Sequence, residues 1–105
     1  MPQTGTLRVN SVVRESLGWI AHSARLTPLL EMRLIEIAEC STYEDIARKH
    51  GISVNTVKTE VGLVLRALGV RCRHQIEEAV RAAQSRAEAG ATVEQICRFL
   101  RLRFE

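Results

Sequence analysis

The sequence lacks the long apolar runs that mark a membrane protein. No stretch approaches the ~20 consecutive apolar residues that cross a bilayer. The opening residues, Met1–Gly5, also lack the composition of a signal peptide. We therefore expect a cytoplasmic protein without a membrane partner.

Cysteine is also scarce. The three cysteines, Cys40, Cys72 and Cys97, form no close pair and have no histidine at ligand spacing. An odd count at wide spacing favours neither a disulfide framework nor a zinc site. We expect reduced thiols, no metal and no cofactor.

The features of an enzyme active site are missing as well. The chain has no glycine-rich phosphate loop, no nucleophile placed beside a base and no credible pair of catalytic carboxylates. We therefore expect a protein that is not an enzyme.

The charge of the chain points to a binding role, because 15 basic residues against 12 acidic ones give +3 and 13 of the basic residues are arginine. The arginine fork suits carboxylate and phosphate recognition.

What the sequence does have is helical periodicity. Apolar residues make up a share typical of a globular chain, 46%, and they recur at intervals of three and four residues. Hydroxyl side chains at N-cap positions and glycines at C-cap positions bound most of these segments. The sequence predicts an all-α fold with helices at Ser11–Ala24, Thr27–Cys40, Thr42–His50, Ser53–Leu68, Arg71–Ala89 and Thr92–Phe104.

The third and fourth helices are joined by the very short segment Gly51-Ile52. A short helix, a turn containing glycine and a second helix are typical of a helix-turn-helix unit, whose second helix enters the major groove of DNA. The helical spacing places Asn55, Lys58, Thr59 and Gly62 on the outward face. Asparagine and threonine can bond base edges, and lysine can reach phosphate or guanine.

Four segments in order resemble the LuxR-type (NarL/GerE) DNA-binding domain of bacterial transcription regulators. They are Leu26-Thr27-Pro28, Asp45-Ile46-Ala47, Gly51 to Lys58, and Leu68 to Arg73. The resemblance implies a four-helix core at 26–83, flanked by an N-terminal extension at 1–25 with one helix. The remainder, 84–105, holds the end of the fourth core helix and an extra C-terminal helix.

The resemblance also implies DNA contacts. Lys58 stands at the position of the family's most consistent DNA-contacting lysine. Further base contacts are implied for Asn55, Thr59 and Gly62, and backbone contacts for Thr27, Ser53 and Thr56. The fourth helix of such domains commonly forms a dimer.

Two residues depart from the family pattern on the reading helix. Glu60 replaces a histidine, and its charge weakens DNA binding if it points outward. Gly62 replaces a residue with a polar side chain. A related resemblance, to region four of sigma factors, is less complete, because the segment Leu68-Gly69-Val70 with a further helix favours the LuxR type.

The sequence therefore predicts a small DNA-binding transcription regulator that acts as a homodimer on double-stranded DNA. The alternative is a protein-interaction module on a helix-turn-helix scaffold, which binds RNA polymerase or another regulator. With no sensory domain of comparable size expected beside it, such a regulator would respond to its own abundance or to a partner.

The two terminal helices leave two interpretations open, since they either enlarge the core or build an oligomer or partner surface. Off the apolar stripe of the last helix, Phe99 and Leu102 favour an oligomer contact. Trp19 is expected in the core. The stripe itself consists of Val93, Ile96, Cys97, Leu100 and Phe104.

Overall fold

The computed structural model describes residues 8–104 and is entirely helical over that range. The predicted all-α class is therefore confirmed. The six helices are α1 (Ser11–Ser23), α2 (Pro28–Ala38), α3 (Tyr43–His50), α4 (Val54–Leu68), α5 (Arg73–Glu88) and α6 (Val93–Phe104).

Local capping chemistry accounts for most of these boundaries. At the starts of α2, α3 and α4, the side chains of Thr27, Thr42 and Ser53 each accept a hydrogen bond from a backbone N–H in the first turn. At the ends of α3 and α4, Gly51 and Gly69 adopt φ values of 66° and 74°. Glycine adopts this left-handed conformation without the Cβ penalty that other residues incur.

The N-cap of α1 is Asn10, not Ser11, the hydroxyl residue with which the predicted segment begins. Ser11 is the first helical residue, and the Oδ1 of Asn10 accepts from the N–H of Val12 at 2.7 Å. Both residues are good N-caps, so composition alone did not separate them. The backbone N–H of Asn10 also donates to the side chain of Gln84 in α5, a long-range bond that fixes the turn.

One apolar core joins all six helices. The periodic residues Val13, Leu17, Ile76 and Leu34 are buried as predicted. α1 and α6 lie side by side and run in parallel, since Ser16 Oγ donates to the Val93 carbonyl at the start of α6 and Arg101 donates to Ser23 Oγ at the end of α1.

These contacts decide part of the question about the terminal helices. Leu100 and Phe104 are 0% and 4% exposed, so the stripe of α6 packs onto the core. Trp19 is 55% exposed, so its prediction as a core residue was wrong. The ring sits beside the apolar stripe of α1, at a position that α6 borders without covering.

Candidate nucleic-acid interface

The turn between α3 and α4 is held by apolar contacts. Ile46 and Val57 are 1% and 0% exposed, and Ile52 packs partly buried against the same core. The N–H of Ile52 donates to the Ala47 carbonyl at 3.0 Å, which closes the end of α3. The two helices therefore form a rigid unit, and α4 presents one side to solvent.

That side of α4 carries every residue of this helix that we predict from the sequence to contact DNA. Its exposed residues are Asn55, Thr56, Lys58, Thr59, Gly62, Leu63, Arg66 and Ala67. The opposite side, with Val57, Val61 and Val64, is buried. A helix with one polar side free over its N-terminal half is the form in which recognition helices read the major groove.

Hydrogen bonding within the helix determines which donor and acceptor groups of each side chain remain free to bond DNA. Asn55 and Lys58 have no side-chain partner among the described residues. Thr59 Oγ1 donates to the Asn55 carbonyl at 3.1 Å, so its lone pairs remain free to accept. The amide of Asn55 could bond the N6 and N7 positions of adenine, and Thr59 could accept from an exocyclic amino group.

Two of the three residues predicted to contact the DNA backbone, Thr27 and Ser53, are helix N-caps, and Thr56 lies in the first turn of α4. Thr27 Oγ1 accepts from the Leu30 N–H at 3.2 Å, and Ser53 Oγ accepts from the Thr56 N–H at 3.1 Å. The hydroxyls of Ser53 and Thr56 also bond each other at 2.9 Å. Each cap accepts through a lone pair, so Thr27 and one hydroxyl of the Ser53–Thr56 pair keep a proton to donate to phosphate.

Glu60 does not point outward. Its Oε1 accepts from Arg33 Nε at 2.6 Å, and its side chain is 16% exposed. The carboxylate is therefore neutralised against α2, and the outward face of α4 presents Lys58 and Arg66 without it. The condition under which Glu60 would weaken DNA binding is not met.

Arg33 belongs to a buried ionic network that sequence reasoning missed. Its guanidinium bonds Glu60 from α4 and, at 3.0 Å, Glu36 from its own helix. Glu36 also meets His50 Nε2 at 2.7 Å and Lys49 Nζ at 3.8 Å, both from α3. The network thus ties α2, α3 and α4 together beneath the outward face.

A signal for this network was present in the sequence. Arg33 follows Leu30 by three residues and precedes Ile37 by four, so helical spacing places it on the apolar face of α2. A charged residue at such a position needs a buried partner. Arg33 is 2% exposed, and Glu36 is 4% exposed.

Arg73, at the start of α5, bonds groups within the chain. It donates to the Ser41 carbonyl at 2.8 Å and to Glu77 at 2.7 Å, and it lies over the ring of Tyr43. It therefore fastens the start of α5 to the loop before α3, whereas Arg71 is exposed.

The comparisons agree with this geometry. A family model described as the helix-turn-helix domain of transposase family ISL3 matches residues 15–61, from within α1 to the middle of α4. The chain carries a helix-turn-helix DNA-binding domain. No curated protein and no solved structure matches the chain significantly.

Residues 8–104 show neither a membrane-spanning helix nor a metal-ligand cluster. None of the helices there is long and apolar enough to span a membrane. Histidine, cysteine and carboxylate side chains in that range form no cluster suited to a metal ion.

Proposed function

We propose that this chain is a DNA-binding transcription regulator of the LuxR type, which acts in the cytoplasm without catalysing a reaction. Its helix α4 would lie in the major groove of double-stranded DNA, and two copies would read the two halves of a site. The main support is the outward side of α4, where Asn55, Lys58 and Thr59 are exposed and keep unused hydrogen-bonding capacity.

The roles on α4 follow from the chemistry of each group. Asn55 and Thr59, one turn apart, would contact neighbouring base edges. Lys58 would reach guanine or a phosphate. Thr27 and the Ser53–Thr56 pair would bond phosphates on either side of the groove, which sets the register without reading sequence. Gly62 has open space around its Cβ position, so the DNA could approach the backbone closely there.

The family model that matches residues 15–61 favours a second candidate, a DNA-binding domain that serves transposition. The same side of α4 would read DNA in both cases. The sites would differ, because a regulator selects fragments near promoters and a transposition protein selects the ends of a mobile element. Selection of bound fragments from sheared genomic DNA distinguishes the two.

A Glu60 that pointed outward would favour the protein-interaction alternative, because its charge would repel DNA phosphates. Since Glu60 is bonded to Arg33, its charge no longer argues against DNA on this surface. That alternative predicts no specific DNA binding at any salt concentration, whereas it allows capture of RNA polymerase.

Lys58 provides the test of DNA binding. The selected fragment, labelled with a fluorophore, is titrated at two salt concentrations, and anisotropy gives the affinity. We expect Lys58→Ala to weaken binding by about 1–3 kcal/mol if it contacts guanine, or to lower the salt slope by about one if it contacts phosphate.

The matched control is Lys49→Ala, which removes the same charge from the other lysine of the chain. Lys49 is exposed on α3, and its Nζ lies 3.8 Å from Glu36 on the side of α2. We expect a much smaller effect there. Equal losses in the two variants, or binding of every fragment alike, would contradict a recognition role for α4.

A further inference from the structure

Five large apolar side chains of the described residues are exposed, and they lie in three places. Leu29 and Met32 are on the first turns of α2, each 44% exposed, and Leu63 is on the DNA-facing side of α4. Trp19 and Leu102 lie together across α1 and α6, at 55% and 72% exposed. The last pair is the largest and the most exposed.

Trp19 and Leu102 border a groove of about 580 Å³ between the two terminal helices. Charged side chains stand beside this apolar centre. Glu94, Cys97, Arg98 and Arg101 also line the groove. A tryptophan surrounded by charged residues is typical of the centre of a protein interface, because a large apolar ring gains most from losing its water.

The charges along α6 are ordered. Glu94 is in its first turn, whereas Arg98 and Arg101 follow on the same exposed side. Seven residues separate Glu94 from Arg101, which is about 10.5 Å along the axis. A surface with one acidic end and one basic end is complementary to itself when two copies run antiparallel.

We propose that this surface, defined by Trp19, Leu102, Glu94, Arg98 and Arg101, binds a second copy of the chain about a two-fold axis. The two α6 helices then run antiparallel, and Glu94 of each copy faces Arg101 of the other. An isologous contact of this kind uses the same patch twice, so both ion pairs form at once. Trp19 lies between Ser16 and Ser23, which bond Val93 and Arg101, so it stands beside the middle of α6 and the two Trp19 rings come near the axis. Each Leu102 lies further along α6 and packs towards the first turn of the other copy's α6.

The surface differs from the dimer contact that the family resemblance implies. In that family the fourth core helix, here α5, commonly forms the dimer. The apolar residues of α5, among them Ile76 and Val80, are buried in the core of this chain. The exposed side of α5 carries charged residues such as Glu78 and Arg81 and no large apolar side chain. The α1–α6 pair therefore supplies the apolar area that α5 lacks.

The patch is small for a dimer interface, which is typical of weak, transient contacts. α1 and α6 have 13 and 12 residues, so each is about 20 Å long. Two such helices packed side by side, about 9 Å apart, give a patch near the low end of dimer interfaces. We therefore expect a dimer that dissociates at micromolar concentration. The role of this dimer rests on the proposed function, because the dimer would bring two α4 helices to one DNA site.

Sedimentation measured without DNA tests the surface directly. At high protein concentration the wild-type chain should have twice its monomer mass of 11.8 kDa. The double variant Trp19→Gln/Leu102→Gln should remain monomeric, with unchanged helicity by circular dichroism because both side chains are exposed. The matched control Leu29→Gln/Met32→Gln changes two other exposed apolar residues and should dimerise as the wild type does.

A charge exchange tests the antiparallel arrangement. Glu94→Arg and Arg101→Glu should each weaken the homodimer at least tenfold, since each places two like-charged pairs in the contact. A mixture of the two variants should form a heterodimer, because both of its pairs are then opposite in charge.

Three results would overturn the surface. They are a wild-type chain that stays monomeric up to about 1 mM, a double glutamine variant that dimerises normally, and charge variants that fail to combine. A wild-type chain that forms the dimer but binds no DNA fragment specifically would instead count against the proposed function.

Discussion

The helix-turn-helix region and the terminal helices place charge and apolar surface in opposite ways. α2, α3 and α4 bury an ionic network around Arg33, and α4 presents small polar side chains outward. α1 and α6 are joined mainly through apolar packing, and they leave Trp19 and Leu102 in solvent. A DNA-reading surface gains from polar groups held rigidly, and a protein-binding surface gains from apolar groups that lose water. The difference separates the surface proposed for DNA from the surface proposed for a second copy.

The largest expected effect comes from breaking the buried network. Arg33→Ala leaves the carboxylates of Glu36 and Glu60 without their shared cation, so we expect a loss of about 3–5 kcal/mol in the free energy of unfolding. Urea denaturation followed by circular dichroism measures it. Arg14→Ala is the control, because Arg14 pairs with Glu39 at 2.8 Å while its own side chain is 53% exposed.

An exposed pair of that kind contributes at most about 1 kcal/mol. If Arg33→Ala and Arg14→Ala lower the stability by the same amount, the buried network is not what holds α2 against α3 and α4.

The next largest effect on stability is expected at the two glycines that lie inside the described helices, one in each region. A Cβ at Gly62 in α4 would meet nothing within 4 Å, and one at Gly18 in α1 would lie 3.5 Å from Glu31 Oε2, an ordinary contact. Alanine favours the helix over glycine by about 1 kcal/mol, so both Gly62→Ala and Gly18→Ala should stabilise the chain.

Thermal unfolding should show a higher Tm by about 4–8 °C for each variant. A Tm that falls for Gly62→Ala alone would mean that the backbone of α4 needs glycine for its own conformation. A rise in Tm together with weaker DNA binding would support close approach of DNA at that position.

The contrast between the two regions also explains what could be predicted from the sequence. The caps Thr27, Thr42 and Ser53 act within three residues of themselves, so their effect is visible in a short window. The exposed side of α4 follows from the spacing of Val57, Val61 and Val64, which are buried. These features are local and were predicted correctly.

Other features depend on distant residues and were missed. Arg33 meets Glu60 across 27 positions, and neither residue specifies the other in a local pattern. Trp19 is exposed because α6 borders it without covering it, which depends on how two helices 80 residues apart pack. Cys40 has a φ of 62°, a left-handed conformation that favours glycine, and no local pattern predicts it for a cysteine.

The smallest expected effect is a difference in reaction rate among the three thiols. Their rates measure how exposed each region is, without a change in the stability of the chain. Cys72 is exposed, Cys40 is half-buried after α2, and Cys97 is buried between α1 and α6, where its Sγ lies 3.6 Å from the Ser16 carbonyl. Burial, together with the nearby charge of Glu77, raises the pKa of the Cys40 thiol above its usual value.

Since only the thiolate reacts with iodoacetamide, a raised pKa slows alkylation at pH 8 beyond the effect of partial burial. Mass spectrometry of the folded chain should therefore show labelling first at Cys72, then at Cys40 and last at Cys97. Cys72→Ser should remove the fast phase and leave the other two rates unchanged. If Cys97 reacted as fast as Cys40, the α1–α6 pair would be opening in solution, and the rigid apolar surface that the dimer requires would not exist.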